Sequence, residues 1–228
     1  MRVRTKVLIA TLIIGVAGVA SVSWWLNRDT VAAVSIDAAL DDAATTDVSD
    51  EPLSLNGTWV VSGTGESFAG VRINEELRGI GAVTAVLRTP EVTGDAVISN
   101  GLLTALTINV DLTTLSSDDA RRDRSIASAL DFVNFPNATF VLDGTVDISG
   151  LEESEPLMFD APGMLSINGQ QQPVTARVTV AKAVGALVAV AEIPVLFGDY
   201  AVRLPSAPIV LSIADDGIIE TQLRFVNR

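Results

Sequence analysis

The stretch "LTINVDLT", Leu106 to Thr113, alternates without a fault. Leu106, Ile108, Val110 and Leu112 fall on one side of an extended chain, and Thr107, Asn109, Asp111 and Thr113 fall on the other. A period of two marks a strand with one buried and one solvated face. The pattern recurs in "QPVTARVTVAK", where Val174, Ala176, Val178 and Val180 oppose Thr175, Arg177 and Thr179. It recurs again in "GIIETQLRFVNR", where Ile219, Thr221, Leu223 and Phe225 oppose Glu220, Gln222 and Arg224. Turn signals such as "NG", "TGD" and "DDG" separate these runs. From Leu53 to Arg228 the rhythm predicts an all-β domain of about eight antiparallel strands. Closure into a single barrel is the expected architecture, because it removes the exposed edges that so much strand would otherwise present.

Two segments depart from the alternation. "ALVAVAEIPVLFG" is apolar on both faces, and Pro194 within it predicts a bulge or an edge position rather than a central ladder. "LSSDDARRDRSIASALDFVNFPNATF", Leu115 to Phe140, predicts a short inserted helix. Ser116 and Asp119 fit a capping box, Asp118 and Asp119 suit the positive end of the helix dipole, and Ile126, Ala129, Leu130 and Val133 recur at helical spacing. Asp118 and Arg122 are spaced to pair across one turn.

The N-terminal region reads differently. Arg2, Arg4 and Lys6 precede Val7 to Leu26, a run without charge and about long enough to cross a bilayer as one helix. Residues 1–28 are expected to be an uncleaved anchor with a cytoplasmic N-terminus, the Trp24-Trp25 pair suiting the interface. "GVASVS" offers a peptidase site as the alternative, which would release the protein. Residues 29–52 carry seven carboxylates and no cation, so this stretch is expected to be a flexible, solvated spacer.

Composition narrows the chemistry. The chain has no His and no Cys, which excludes a Ser-His-Asp triad, a thiolate nucleophile, disulfides and most zinc sites. Residues 1–28 hold four positive charges and no negative ones, so their removal takes the formal net charge from −13 to −17. Such acidity argues against a nucleic-acid partner. Lys182, the lone lysine after Lys6, ends a predicted strand and reads as solvent-facing rather than as a catalytic base. The carboxylate pairs Asp118-Asp119, Glu152-Glu153 and Asp215-Asp216 are adjacent in sequence and read as caps or turns rather than a glycosidase pair. No stretch has the spacing of an EF-hand, and "GTGESFAG" reads as a turn. No metal and no cofactor is predicted. What remains is the apolar face of the strands, which either fills a core or lines a cavity. Composition does not choose between these.

Four ordered blocks carry a family resemblance: "TWVVSGTGESFAGVRINEEL", "VDLTTLSSDDARRDRSIASALDFVNFPNATFVL", "GMLSINGQQQPVTARVTV" and "FGDYAVRLPS". From Leu53 to the C-terminus the chain resembles the YceI-like family of exported lipid-binding proteins. The resemblance implies a lipocalin-like barrel whose elongated lumen holds a polyisoprenoid, a quinone or another amphiphilic lipid, with no known catalytic residues. By position it implies Val71, Ile73, Ile108, Val110, Phe140, Leu142, Ile167, Val174, Phe197 and Tyr200 as lumen candidates. Glu75 falls where some relatives carry His, near the barrel mouth and a lipid headgroup. Ile126, Leu130 and Phe132 are then expected to close one end. The anchor and acidic spacer depart from soluble periplasmic relatives, and they imply work within a tether's reach of the membrane. Two rival readings stay open: an envelope interaction module with a filled core, and a lipid-acting enzyme using Glu75 or Asp199. A homodimer sharing its lumen also stays open.

Overall fold

The computed structural model describes residues 31–43, 54–63, 67–153, 156–204 and 206–228, so the predicted anchor at 1–28 lies outside the described residues. One compact unit, Ala33–Arg228, contains every element below.

Eleven strands form one antiparallel sheet: β1 (Gly57–Val61), β2 (Phe68–Leu77), β3 (Gly81–Thr89), β4 (Val92–Ser99), β5 (Leu102–Asp111), β6 (Asn137–Leu142), β7 (Val146–Asp147), β8 (Leu157–Ile167), β9 (Gln170–Ala183), β10 (Ala186–Leu196) and β11 (Val210–Asn227). Eight of them close a ring in the order β1-β4-β5-β6-β8-β9-β10-β11, because β1 pairs β4 through Trp59↔Ala96 and β11 through Val60↔Val226. The fold is thus an all-β, eight-stranded antiparallel barrel, as the alternation predicts, and the described residues add two helices to it. The hairpin β2–β3 extends from the first part of β11, with Ile219 opposite Val71. Arg88 of β3 forms an isolated bridge with Ser116, the two residues exchanging N–H···O bonds of 2.8 and 3.0 Å.

Two of the hairpins turn on Asn-Gly. Asn100-Gly101 and Asn168-Gly169 have φ of 52° and 75°, and 51° and 75°. Both residues of a type I′ turn need the left-handed region, which Asn tolerates and Gly prefers.

The acidic spacer is not wholly solvated. Within it, α1 (Ile36–Ala43) lies against the outer face of β9 and β10, with Ala39 and Ala43 buried on Val188 and Val190. Two alanines four residues apart give a flat stripe that lets the helix approach closely, while Asp37 and Asp41 remain exposed. Gln222 of β11 donates to the Asp42 carboxylate at 3.0 Å. The reading of "ALVAVAEIPVLFG" as a bulge or edge holds at Pro194 and not for the strand as a whole. β10 is a central strand, paired with β11 along its length and with β9 as far as Glu192↔Arg177. It is apolar on both faces because the lumen takes one face and α1 takes the other. Pro194 lies past the last β9 pair, on the stretch that only β11 flanks in the ladder.

The inserted helix α2 spans Ala120–Ala129, and its cap differs from the expected box. Ser116 is engaged in the bridge to β3, so Asp119 caps instead, accepting from the Arg121 N–H at 2.8 Å. That backbone bond holds the Asp119 carboxyl below the usual range, against some opposing desolvation. Asp123 reaches back to accept from the Ser117 N–H and hydroxyl at 2.8 and 2.7 Å. The Asp118–Arg122 pair forms at 2.6 Å. Leu130 is the C-cap and already extended, so the predicted apolar face stops there and Val133 is left 93% exposed.

Ala39 tests the docking of α1. Ala39→Asp places a charge at a site 1% exposed and should lower unfolding stability by about 1–3 kcal/mol. Ala38→Asp, on the exposed side of α1, should change it by less than about 0.5 kcal/mol. Urea denaturation followed by circular dichroism measures both, and limited proteolysis should cut near α1 in the first variant alone.

Candidate functional site

The barrel is not filled. Its inward side chains enclose a cavity of about 180 Å³, with a smaller one of about 60 Å³ beneath it. Leu106, Val178, Ala189 and Phe225 line both, so the two spaces are neighbours along the lumen. Side chains just fill the interior of an eight-stranded barrel. A void therefore requires small residues at inward positions. Six alanines supply them: Ala69, Ala138, Ala161, Ala176, Ala189 and Ala191.

Glycine keeps two aromatic rings from closing the space. A Cβ added at Gly163 of β8 would strike the Phe140 ring, and one at Gly217 of β11 would strike the Phe197 ring. Each ring lies against a neighbouring strand that has no side chain at that point, so both border the cavity instead of crossing it.

One end of the lumen is built by Trp59, fully buried, whose indole Nε1–H donates to the Leu55 carbonyl at 2.9 Å. The other end is assembled from separate pieces. Ile126, Ala129 and Leu130 come from α2, Leu112 and Leu115 from the turn after β5, and Tyr200, Val202 and Leu204 from the segment after β10. Polar contacts on the outside fasten these pieces. The Asn168 side chain in the β8–β9 turn accepts from the Asp131 N–H at 3.1 Å, and its Nδ2 donates to the Tyr200 carbonyl at 3.1 Å. Gln172 Nε2 donates to the Asp199 carbonyl at 3.0 Å. Arg122 joins α2 to β2 through Glu75 at 3.5 Å.

The model of the YceI-like domain matches residues 59–225. The chain belongs to the YceI-like family. Two solved structures share the fold. The crystal structure of Burkholderia cenocepacia BcnA is 18% identical, with a TM-score of 0.58, covering 72% of this chain and 98% of its own. A polyisoprenoid binding domain from Saccharophagus degradans, implicated in plant cell wall breakdown, is 13% identical, with a TM-score of 0.59, covering 75% of this chain and 98% of its own. No curated protein matches the chain.

Within this YceI-like barrel, ten of the candidate residues named from the sequence share the cavity wall: Val71, Ile73, Ile108, Val110, Ile126, Leu130, Phe140, Ile167, Phe197 and Tyr200. Four do not. Leu142 and Val174 are half-buried and pack against the core away from the cavity. Phe132 is half-buried beyond the C-cap of α2, after the chain has left the helical path. Glu75 does not line the cavity and instead pairs with Arg122 of α2 at 3.5 Å. The candidate set left out the alanines, and also Ile193, Val195 and Ile219, although Ala176 and Ile219 stand on apolar faces legible in the sequence. Their signal was present in the inward parity of β10 and β11, but an alanine is silent until the residues around it are known. Among the described residues, no Asp, Glu, Lys or Arg side chain lines the cavity.

Asn168 tests how the assembled end is held. Asn168→Gly keeps the left-handed turn but removes the side-chain bonds to Asp131, Tyr200 and Ala201, and should cost about 1–3 kcal/mol. Hydrogen exchange at the Asp131 amide should accelerate while amides in β10 and β11 keep their protection.

Proposed function

We propose that this YceI-like protein binds an amphiphilic lipid of isoprenoid type within its lumen, as a membrane-tethered component of the cell envelope. The observation that carries the reading is the apolar, alanine-walled cavity. At roughly 24 cal/mol per Å³, a cavity of this size left empty costs the fold on the order of 4 kcal/mol. That is a large fraction of a domain's net stability of about 5–15 kcal/mol. Larger side chains at the alanine positions would recover it, so a filled-core scaffold accounts poorly for six inward alanines. A lipid chain recovers it on binding, each buried methylene contributing about 0.8 kcal/mol. Membership in the family and likeness to a domain described as polyisoprenoid binding lend support. The apolar wall makes binding rather than catalysis its natural use, and the uncharged run Val7 to Leu26 supplies the proposed anchor.

The test is direct. The full-length chain, purified in detergent from a bacterial host, is extracted with organic solvent and its lipids identified by mass spectrometry. A prenyl lipid or similar amphiphile should co-purify in about equimolar amount. In the doubly filled variant Ala189→Leu/Ala191→Leu it should be lost by at least about tenfold, with thermal stability kept or raised. Recovery no greater than from a control membrane protein, even after incubation with prenyl lipids, overturns the proposal.

A further inference from the structure

The sheet ends at β3. One edge of that strand is paired along its whole length by β2, in an unbroken register from Leu77↔Gly81 to Ala69↔Thr89. The other edge is held only at Arg88, whose N–H and C=O both bond Ser116. Backbone groups two residues apart on a strand face the same edge. The N–H and C=O of Ala82, Thr84 and Val86 therefore face away from β2, and among the described residues none of them has a partner. Ala82 is exposed and the other two are half-buried, so none of the three is sealed from an incoming strand.

Elsewhere this fold guards the places where a ladder runs out. β10 carries Pro194 beyond its last pair with β9, and β11 carries Asp215 just before its first pair with β10, Leu196↔Asp216. Proline and charge keep a strand edge from pairing with another chain. The β3 edge has neither. Residues 79–87, between Arg78 and Arg88, hold no charge and no proline, in a chain of formal net charge −13. Val83, Thr84 and Val86 favour strand, and no bulge twists the edge away. An open, flat, neutral edge is suited to receive a strand from another chain.

We propose that β3 is a self-association edge, pairing antiparallel with β3 of a second copy of this chain about a two-fold axis at Thr84. Register and charge select a second copy as the occupant. The open span, residues 82–86, is bounded by the Arg88 bridge and the β2–β3 turn, and Thr84 is its centre. A two-fold there sets Thr84 opposite its own counterpart and Ala82 opposite the partner's Val86. Every free N–H of the three residues then meets a free C=O of the other copy, which no shifted register achieves. Two molecules of like net charge repel, and this span lets them meet without a carboxylate in either paired strand. So short a ladder makes a reversible dimer rather than an obligate one. It joins two sheets edge to edge and leaves each lumen separate.

The chain has no cysteine, so single cysteines report the register directly. In the detergent-purified full-length chain, Thr84→Cys should give a disulfide-linked dimer under mild oxidation, because opposed residues of a bonded pair lie about 5.5 Å apart between Cα atoms. Ala82→Cys and Val86→Cys should cross-link when mixed at least about tenfold faster than either alone, since like positions are then out of disulfide reach. Thr104→Cys, on an exposed position of β5, sets the background rate. Sedimentation velocity on the unaltered chain should show monomer and dimer exchanging with concentration. Thr84→Lys and Thr84→Glu should each weaken the dimer by at least about tenfold through like charges opposed at the axis. An equimolar mixture of the two should restore it, which also shows that both variants fold. Cross-linking of Thr84→Cys no faster than Thr104→Cys overturns the proposal, as does a cross-linking pattern of another register. So does a chain that stays monomeric at every concentration, or a dimer that survives in both charged variants.

Discussion

The interior exists because β11 is long enough to serve neighbours on both sides of the ring. Its 18 residues carry β2 along the first part, β10 along most of the length, and β1 at the last few pairs, where Trp59 meets Asn227. Those final pairs convert a curled sheet into a closed one. Without them the alanine wall would face water, and both flanking strands would present open edges. On the outside, Glu220 of β11 is 1% exposed and accepts from Arg88 at 2.6 Å and from Arg72 at 3.2 Å. Gly70 lies opposite Glu220, where any side chain would collide with Arg88. A buried ion cluster of this kind adds little net stability. Breaking it by removing one partner is expensive, so it fixes the register of β2 and β3 on β11.

Much of this was legible in the sequence, for one reason: a half-buried strand writes its environment into alternate residues. β5, β9 and β11 could be read directly, and the two Asn-Gly turns marked their hairpins. Misreadings occurred where a second layer covers the sheet. β10 looked unlike a central strand because of Pro194, which lies beyond its last pair with β9, and α1 explains why both of its faces are apolar. α1 itself was read as spacer from its Ala- and Asp-rich composition, although Ile36, Ala39, Leu40 and Ala43 recur at helical spacing. Its order comes from a contact with Val188 and Val190 about 150 residues away in sequence, which local pattern does not contain. The cap of α2 was displaced by the same kind of long-range demand, since β3 claims Ser116.

The lumen posed a harder problem. Inward parity names the residues of a wall but not the distance to the opposite wall, so core and cavity share one alphabet. The candidates taken from the family pattern were large residues, and most of them do border the cavity. The alanines that create the space carry no signal in isolation. Glu75 shows the complementary limit, for its register was right while its partner, Arg122, comes from an inserted helix. The end built by α2 differs from the Trp59 end in how it is secured. Its inner face is apolar, and its fastenings are partly exposed side-chain hydrogen bonds, the arrangement that lowers the free energy of local opening.

The six inward alanines also make the site adjustable. Strand register in this barrel is set by backbone ladders, by hairpin turns and by the outer Glu220 cluster, none of which uses an inward side chain. Exchanging one alanine for valine, leucine or phenylalanine therefore moves a stop along the bore without disturbing the barrel that holds it. Depth and girth of the bore can therefore change independently of the fold. The scaffold behaves as a gauge block with replaceable inserts, in which the bore is changed by a methyl group at a time.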